Sequence, residues 1–287
     1  MIKEFLIKNA RFIPDKLYLR LTYFLCFHKP LSFKNPKTLN EKIQWLKIND
    51  RRTEYTKLVD KYEVRKIIAD KIGDEHLIPL LGVWDSADEI DYESLPDQFV
   101  LKCNHDSKSI IICRDKKDFD FEKAKKQLNR KLKTNLFWFG REWPYKDVKP
   151  RIVAEKYMVD ESGVELKDYK VMCFNGKPDN VMVCYNRSNG STIFKFFDLS
   201  WKWLPYVRSD RYADENDLPK RPKGLDKMID IAGLLSRDFY FARVDLYDVN
   251  GHVYFGEITL HPASGFDYLI IETADHLLGR KLILPVD

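Results

Sequence analysis

A chain of 287 residues that is 44% hydrophobic and 14% aromatic can bury a substantial core, in one large domain or in two to three lobes. Its net charge of +5 comes from 49 Lys and Arg interspersed with 44 Asp and Glu, a balance that favours an anionic ligand over a committed nucleic-acid binder. Five cysteines with no Cys-x-x-Cys pair argue for reduced thiols in a cytoplasmic setting, and no apolar run approaches the ~18 residues of a membrane span.

Residues 1–27 mix Phe, Leu and Ile with Lys and Arg, a pattern that suits a membrane surface as well as packing on the body of the protein. This basic N-terminus lacks a clean apolar run and a small-residue cleavage site, so the expectation is a protein that stays inside the cell. The first fifty residues read as helical or irregular, with breaks at Pro14, Pro30 and Pro36. Thr38-Leu-Asn-Glu41 forms a capping box ahead of Ile43, Trp45 and Leu46. A leader, not a catalytic lobe, is expected here. Residues 54–72 fit a single amphipathic helix ended by Gly73, and residues 78–84 a strand. Residues 98–104 and 109–113 read as paired strands, 121–134 as a basic helix and 151–158 as another strand. An antiparallel meander over 170–174, 180–185 and 191–197 follows, then a helix over 225–239 and a final pair of strands. The fold class is α+β, with segments at 1–50, 51–98, 99–157 and 158–287, and with no internal repeat.

The final strand pair carries the sharpest chemical signal, because Asp245 and Glu257 sit among apolar residues in Phe241-Ala-Arg-Val-Asp-Leu-Tyr-Asp-Val-Asn-Gly-His-Val-Tyr-Phe-Gly-Glu-Ile-Thr259. An ionised carboxylate in such surroundings is costly unless paired or bound to a metal, and two of them suggest a shared hard cation, Mg²⁺. Without the cation, the same acids face solvent or pair with Arg243. A two-residue Asn250-Gly251 turn puts Asp245 and Glu257 on opposite faces. The expected register is therefore a three-residue loop, Val249-Asn250-Gly251, which places Arg243, Asp245, Phe255, Glu257 and Thr259 on one face, with the two acids as diagonal neighbours; a bulge is the other way to bring the acids to one face. Lys102, within Phe99-Val-Leu-Lys-Cys103, alternates to the side opposite Leu101 and Cys103, where an ammonium either meets an anion or stays solvated. Glu155-Lys156 ends an apolar strand and offers polar groups beside apolar packing, as a nucleotide base requires.

The order of these pieces resembles the ATP-grasp superfamily, in which two α+β lobes clamp ATP between antiparallel sheets. Leu39-Asn-Glu-Lys-Ile-Gln-Trp45, Phe99-Val-Leu-Lys-Cys-Asn-His105, Asp168-Tyr-Lys170, and Gly256-Glu-Ile-Thr259 followed by Pro262 are similar to its TupA-like branch, associated with teichuronopeptide and capsular polysaccharide biosynthesis. The resemblance spans roughly residues 30–280. It implies that Lys61 and Lys102 contact ATP phosphates, that Glu155 and Lys156 lie at a hinge beside adenine, and that Met158 packs near the base. Lys170 joins the cofactor-binding set. Asp245 and Glu257 match metal ligands, with Thr259 where many members have Asn, and Arg243 stabilises the transferring phosphoryl group. The chain departs from the superfamily in its phosphate loop, His105-Asp-Ser-Lys-Ser109, which has no glycine. Donors there come from Ser107, Lys108 and Ser109.

The resemblance further implies a carboxylate–amine ligase that uses Mg·ATP to form an amide through an acyl phosphate, joining an amine to a uronic acid or an amino acid. Trp201, Trp203 and Tyr206 are candidates for stacking on sugar rings or for core packing, and Arg187 for holding an anionic substrate. A sugar kinase, a nucleotide-sugar glycosyltransferase and a non-enzymatic anion-binding module are the alternatives.

Overall fold

The structure is a computed structural model and describes residues 10–107, 109–186, 192–208 and 218–285. Two compact units divide the chain: residues 52–158 form one, and the residues before and after them form the other.

The N-terminal residues supply helices α1 (Asp15–Phe27) and α2 (Leu39–Asn49). The capping box is present: Thr38 Oγ1 accepts from the Glu41 amide at 3.2 Å, and Glu41 Oε2 accepts from the Thr38 amide at 3.1 Å. This segment does not stand apart as a leader. Leu39, Ile43 and Leu46 share one core cluster with Met172, Phe174, Phe196 and Phe241 from the large sheet, because a one-sided apolar helix must bury that side somewhere.

The unit of residues 52–158 begins with α3 (Tyr55–Val59) and α4 (Val64–Ile72). The single helix expected over 54–72 breaks at Asp60, whose Oδ1 accepts from the amides of Tyr62 at 2.8 Å and Glu63 at 3.2 Å. A short acid that bonds its own downstream amides competes with helix continuation. Strands β1 (Leu80–Trp84), β2 (Phe99–Cys103), β3 (Ile111–Cys113) and β4 (Ile152–Lys156) form an antiparallel sheet in the order β1-β4-β2-β3. Helices α5 (Phe121–Leu132), capped by Asp120, and α6 (Phe137–Gly140) complete it. Phe99, Leu101, Cys103, Ile152 and Ala154 share a core with Leu128 of α5. Alternation then turns Lys102 and Glu155 to the other face of β2 and β4.

The large unit is built on a six-stranded antiparallel sheet of β5 (Asp168–Phe174), β6 (Lys177–Tyr185), β7 (Ile193–Asp198), β8 (Trp203–Leu204), β9 (Phe241–Val249) and β10 (His252–Thr259). Its order is β10-β9-β5-β6-β7-β8. Helix α7 (Leu225–Ser236) packs against β5, β6 and β9 through Met228, Ile231, Ala232 and Leu235. Cys173 faces it, with Sγ 3.8 Å from the Ala232 carbonyl. The residues between, such as Met172 and Phe174, face α2 and α8 (Glu272–Lys281).

The β9–β10 hairpin differs from the expected register in a specific way. Val249 pairs with His252, so the turn is the two-residue Asn250-Gly251, with φ of +57° and +95°. Both positive values match the I′ turn that suits strand twist. The extra residue is Gly256 instead, a bulge between the Phe255–Leu246 and Glu257–Asp245 pairs. Asp245 and Glu257 are therefore directly opposite, not diagonal, as are Arg243 and Thr259. Phe255 pairs with Leu246 and lies on the opposite face from the acids.

A Cβ on Gly256 meets the Asp245 carbonyl oxygen at 3.0 Å and the Tyr247 ring at 3.0 Å. Backbone cannot swing aside as a side-chain tip can. Gly256→Val is expected to lower stability by about 1–3 kcal/mol, read from the urea midpoint. An unchanged midpoint contradicts the bulge as the device that sets this register.

Candidate functional site

Five of the residues singled out in the sequence, Lys170, Arg243, Asp245, Glu257 and Thr259, meet on one face of the large sheet. Strand β5 lies next to β9, and Lys170 pairs in register with Asp245. Asp245 is 2% exposed and is held between two cations. Arg243 donates to it through Nε at 2.7 Å and Nη2 at 2.8 Å, and Lys170 Nζ forms a short contact with Oδ2. Arg243 Nη2 also donates to Thr259 Oγ1 at 3.0 Å and lies 3.4 Å from Glu257 Oε1, which accepts from Thr259 Oγ1 at 3.1 Å. Burial alone pushes the Arg243 guanidinium pKa down, but the charge of Asp245, its hydrogen bonds and the charge of Glu257 together outweigh burial and hold the group above its usual value.

Both Asp245 oxygens are thus engaged by cations, Oδ1 by Arg243 and Oδ2 by Arg243 and Lys170. Sequence reading did not give a role to Asp168, whose Oδ2 lies 3.3 Å from Lys170 Nζ. The signal was available, since Asp168 and Lys170 are two apart on one strand and so share a face. Three acids against two cations leave this cluster one net negative charge. Asp245 and Glu257 offer hard oxygens side by side, at the spacing of about 4.5–5.5 Å between Cβ atoms of a cross-strand pair. Oxygen donors of this kind suit Mg²⁺, and Glu257 is the more accessible of the two side chains, 32% exposed.

A second cluster lies in the 52–158 unit. Lys102 Nζ contacts Glu155 Oε2 at 2.6 Å, and Arg65 Nη1 lies 3.5 Å from Glu155 Oε1. Arg65 also donates to the Ile78 carbonyl at 2.8 Å. Sequence reading passed over Arg65, although the single helix expected over 54–72 sets it one turn beyond Lys61. Here two cations exceed one acid. Lys61 Nζ donates to the Asp106 carbonyl, and its amide donates to the Asn104 carbonyl at 3.2 Å. Asn104 ties the end of β2 to its surroundings, its Nδ2 donating to Asp60 at 2.9 Å and to the Lys149 carbonyl at 3.0 Å.

Other expected residues do not join these clusters. Lys156 is exposed on the face opposite Glu155, because adjacent strand residues point to opposite sides. Met158 is half-buried at the end of the unit, and Ser107 is exposed. Ser109 is 1% exposed and turned inward, accepting from the Cys103 amide at 2.7 Å and donating to Asp106. Its hydroxyl closes the turn instead of facing outward. Lys108 and Arg187 lie outside the described residues. Burial pushes the Cys103 thiol up to about 11, so it is neutral at pH 7 and no nucleophile. Trp201 stacks on Phe197 at 4.3 Å, and Tyr206 packs on Phe196 at 5.6 Å, so both serve packing. Trp203, half-buried, pairs with Phe197 in the sheet.

Beyond Thr259 the chain turns sharply, with Ala263, Ser264 and Gly265 all at positive φ. Helix α2 braces this turn. Gln44 Nε2 donates to the carbonyls of Ser264 at 3.0 Å and Gly265 at 2.7 Å, and the buried Lys47 ammonium donates to Ser264 at 2.5 Å. Asn40 exchanges two bonds with Asp267, at 3.2 and 2.9 Å. The sequence motif around Asn40 and Gln44 therefore works through this turn. A separate pocket of about 760 Å³ lies in the same unit, lined among others by Tyr23, Thr38, Arg208, Tyr268 and Asp275, and none of the candidate catalytic, cofactor-binding or metal residues lines it.

The TupA-like ATPgrasp family model matches residues 41–283. The chain belongs to the TupA-like ATP-grasp family. Solved structures similar to this family member include the D-alanine–D-alanine ligase of Bacillus anthracis, at 19% identity and TM-score 0.44, covering 78% of this chain and 62% of that one. The Helicobacter pylori D-alanine–D-alanine ligase gives 15% identity and TM-score 0.45, with 80% and 59% covered. D-cycloserine synthetase DcsG gives 15% and 0.42, with 79% and 71% covered. The chain thus spans less than two thirds of the length of those two D-alanine–D-alanine ligases. No curated protein matches it.

The two hairpin acids respond differently to substitution. Glu257→Gln is expected to leave stability within about 0.5 kcal/mol, as at other accessible positions. Asp245→Asn strips the counter-charge from two buried cations and is expected to cost about 3–5 kcal/mol, which chemical denaturation measures. Equal midpoints for the two variants count against the ion-pair arrangement.

His261, 3% exposed, is held well below its usual pKa of 6.5 by burial and by the charges of Lys47 and Arg51. The unfolded chain therefore takes up a proton near pH 6.5 that the folded chain refuses, and this contribution to stability is lost as pH falls below that value. Melting temperatures of the native protein and His261→Gln between pH 7.5 and about 5 should diverge accordingly. Parallel profiles contradict a buried neutral imidazole.

Proposed function

We propose that this protein is an ATP- and Mg²⁺-dependent carboxylate–amine ligase that forms an amide through an acyl phosphate. The observation that carries the reading is the charge complement of the two clusters within a TupA-like ATP-grasp chain. One has excess carboxylate on a hairpin, and the other has excess cation around Glu155.

A carboxylate is a poor electrophile, and its oxygen is a poor leaving group. Phosphoryl transfer from ATP answers both problems, since the acyl phosphate is attacked readily by an amine and releases phosphate. Bound Mg²⁺ supplies charge neutralisation on the phosphates. Asp245, Glu257 and Thr259 are the residues that would hold it. Lys61 and Lys102 attract the triphosphate, and Lys170 balances the charge of Asp168 and Asp245. Arg243, fixed bidentately by Asp245, presents a preorganised positive charge where the transferring group gathers negative charge. Glu155 and Met158 would receive the nucleotide base, Lys156 contributing there only through its main chain, and Ser107, Lys108 and Ser109 would offer donors to the phosphates. Ser109 serves there only by changing its present partners. No protein nucleophile enters this scheme, in keeping with the neutral Cys103.

The acid substrate in this reading is a uronic acid or an amino acid, and the amide decorates a surface polysaccharide or its precursor. A cytoplasmic setting with ATP belongs to the same reading. Among the described residues, no helix is long and apolar enough to cross a membrane.

ADP release across a panel of uronic acids, amino acids and amines, with hydroxylamine present, tests the proposal. Acid-dependent ADP and hydroxamate are expected, and Glu257→Gln should lower the rate on the order of a hundredfold. A stable phosphorylated product with no hydroxamate identifies a kinase. Turnover of a nucleotide sugar without ATP identifies a glycosyltransferase. Undiminished turnover in Glu257→Gln removes that residue from the metal site.

A further inference from the structure

Helix α1 is apolar on two opposite sides. Tyr18, Leu19 and Tyr23 are buried in their unit, whereas Leu17, Leu21, Phe24 and Leu25 are 49, 41, 53 and 36% exposed. At about 100° per residue these four form one stripe roughly 100° wide, turned away from the buried side. Phe12, just ahead of the helix, is 86% exposed. A helix that is apolar all round belongs in apolar surroundings all round, so an exposed stripe of this composition marks a contact surface.

The charges around the stripe specify the partner. From Lys16 to Asn40 the sequence contains no acidic residue, while Lys16, Arg20, Lys29, Lys34 and Lys37 are all exposed. By helical angle, Arg20 lies about 40° beyond Phe24 at one edge of the stripe, and Lys16 about 40° farther round. Asp15, at the start of the helix, is engaged by Arg51 at 2.8 Å, and Lys29 by Glu272 at 2.5 Å. A second copy of this chain is a poorer match, because the same surface on it offers basic residues and no acid between Lys16 and Asn40 to pair with them. An anionic lipid surface satisfies both features, taking leucine and phenylalanine at the acyl boundary and ammonium and guanidinium groups at the phosphates.

We propose that α1 docks this protein on anionic bilayers, with Leu17, Leu21, Phe24 and Leu25 inserted and Lys16, Arg20 and Lys34 at headgroup level. The attachment is peripheral and reversible, since one short amphipathic helix buries little area and salt screens its charges.

Co-sedimentation of the full chain with phosphatidylglycerol–phosphatidylcholine vesicles, against pure phosphatidylcholine vesicles, tests this. Binding to the anionic vesicles is expected to be at least about tenfold stronger and to weaken as salt rises. The double variant Leu21→Glu/Phe24→Glu should lose about tenfold or more of that binding. Lys16→Glu/Arg20→Glu, which leaves the stripe intact, should abolish the preference for anionic lipid. All four side chains are exposed, and an unchanged melting temperature verifies folding; the charge-reversal pair gives an independent reading should the first pair fold poorly. Three results overturn the proposal: no binding to either vesicle, equal binding to both, or wild-type binding by both variants. A concentration-dependent dimer abolished by Leu21→Glu/Phe24→Glu also overturns it, by assigning the stripe to a second copy.

Discussion

A buried carboxylate needs counter-charge, and the large unit is arranged around that need at Asp245. Desolvating an isolated carboxylate costs far more than a domain's net stability, so Arg243 and Lys170 must reach it from their own strands. This fixes more than one ion pair. Lys170 reaches Asp245 only if β5 lies beside β9 in the observed register, and Arg243 reaches Thr259 only if the bulge at Gly256 returns β10 to the same face. The apolar residues farther along that face, Met172 and Phe174, then meet α2 and α8. One face of one sheet thus passes from core to charged surface within a few residues.

Glu155 repeats the arrangement in the other unit, between Lys102 and Arg65. A carboxylate between a lysine and an arginine holds both cations in place, so their side-chain entropy is already spent in the folded chain. The two clusters differ in net charge. Excess acid on the hairpin suits a cation, and excess base around Glu155 suits an anion. That difference is a property of composition within each unit and does not depend on any single hydrogen bond.

Much of the fold was legible in the sequence because its signals are local. The capping box at Thr38 and Glu41, the alternation that turns Lys102 away from Leu101, and the strands on both sides of Asn250 depend on neighbours in the chain. The register of the hairpin was not legible to the same degree. Asn250-Gly251 advertises a two-residue turn, and the acids demand one extra residue, but alternation alone does not say where that residue goes. Gly256 was the available sign, since a lone glycine in a strand often marks a bulge. Asp60 was missed for a related reason: periodicity over 54–72 is sound on either side of it, and the break comes from its own side chain. Within the candidate site, residue types and faces were readable, and partners were not. Arg65, Asp168 and the inward turn of Ser109 arise from contacts between segments that have no shared pattern in the sequence.

The brace from α2 to the left-handed turn at Ala263–Gly265 has a consequence for how the chain reaches its fold. Gln44 and Ser264 are 220 residues apart in sequence, and a whole compact unit is encoded between them. Contacts of that separation form late, because the loop-closure entropy precedes any reward from pairing. During synthesis α2 emerges early with its apolar side and its polar Asn40, Gln44 and Lys47 unmatched, while residues 52–158 can already gather their own core. The large unit closes only when its last segment arrives, so the first helices of this chain are the ones that wait longest for their partners.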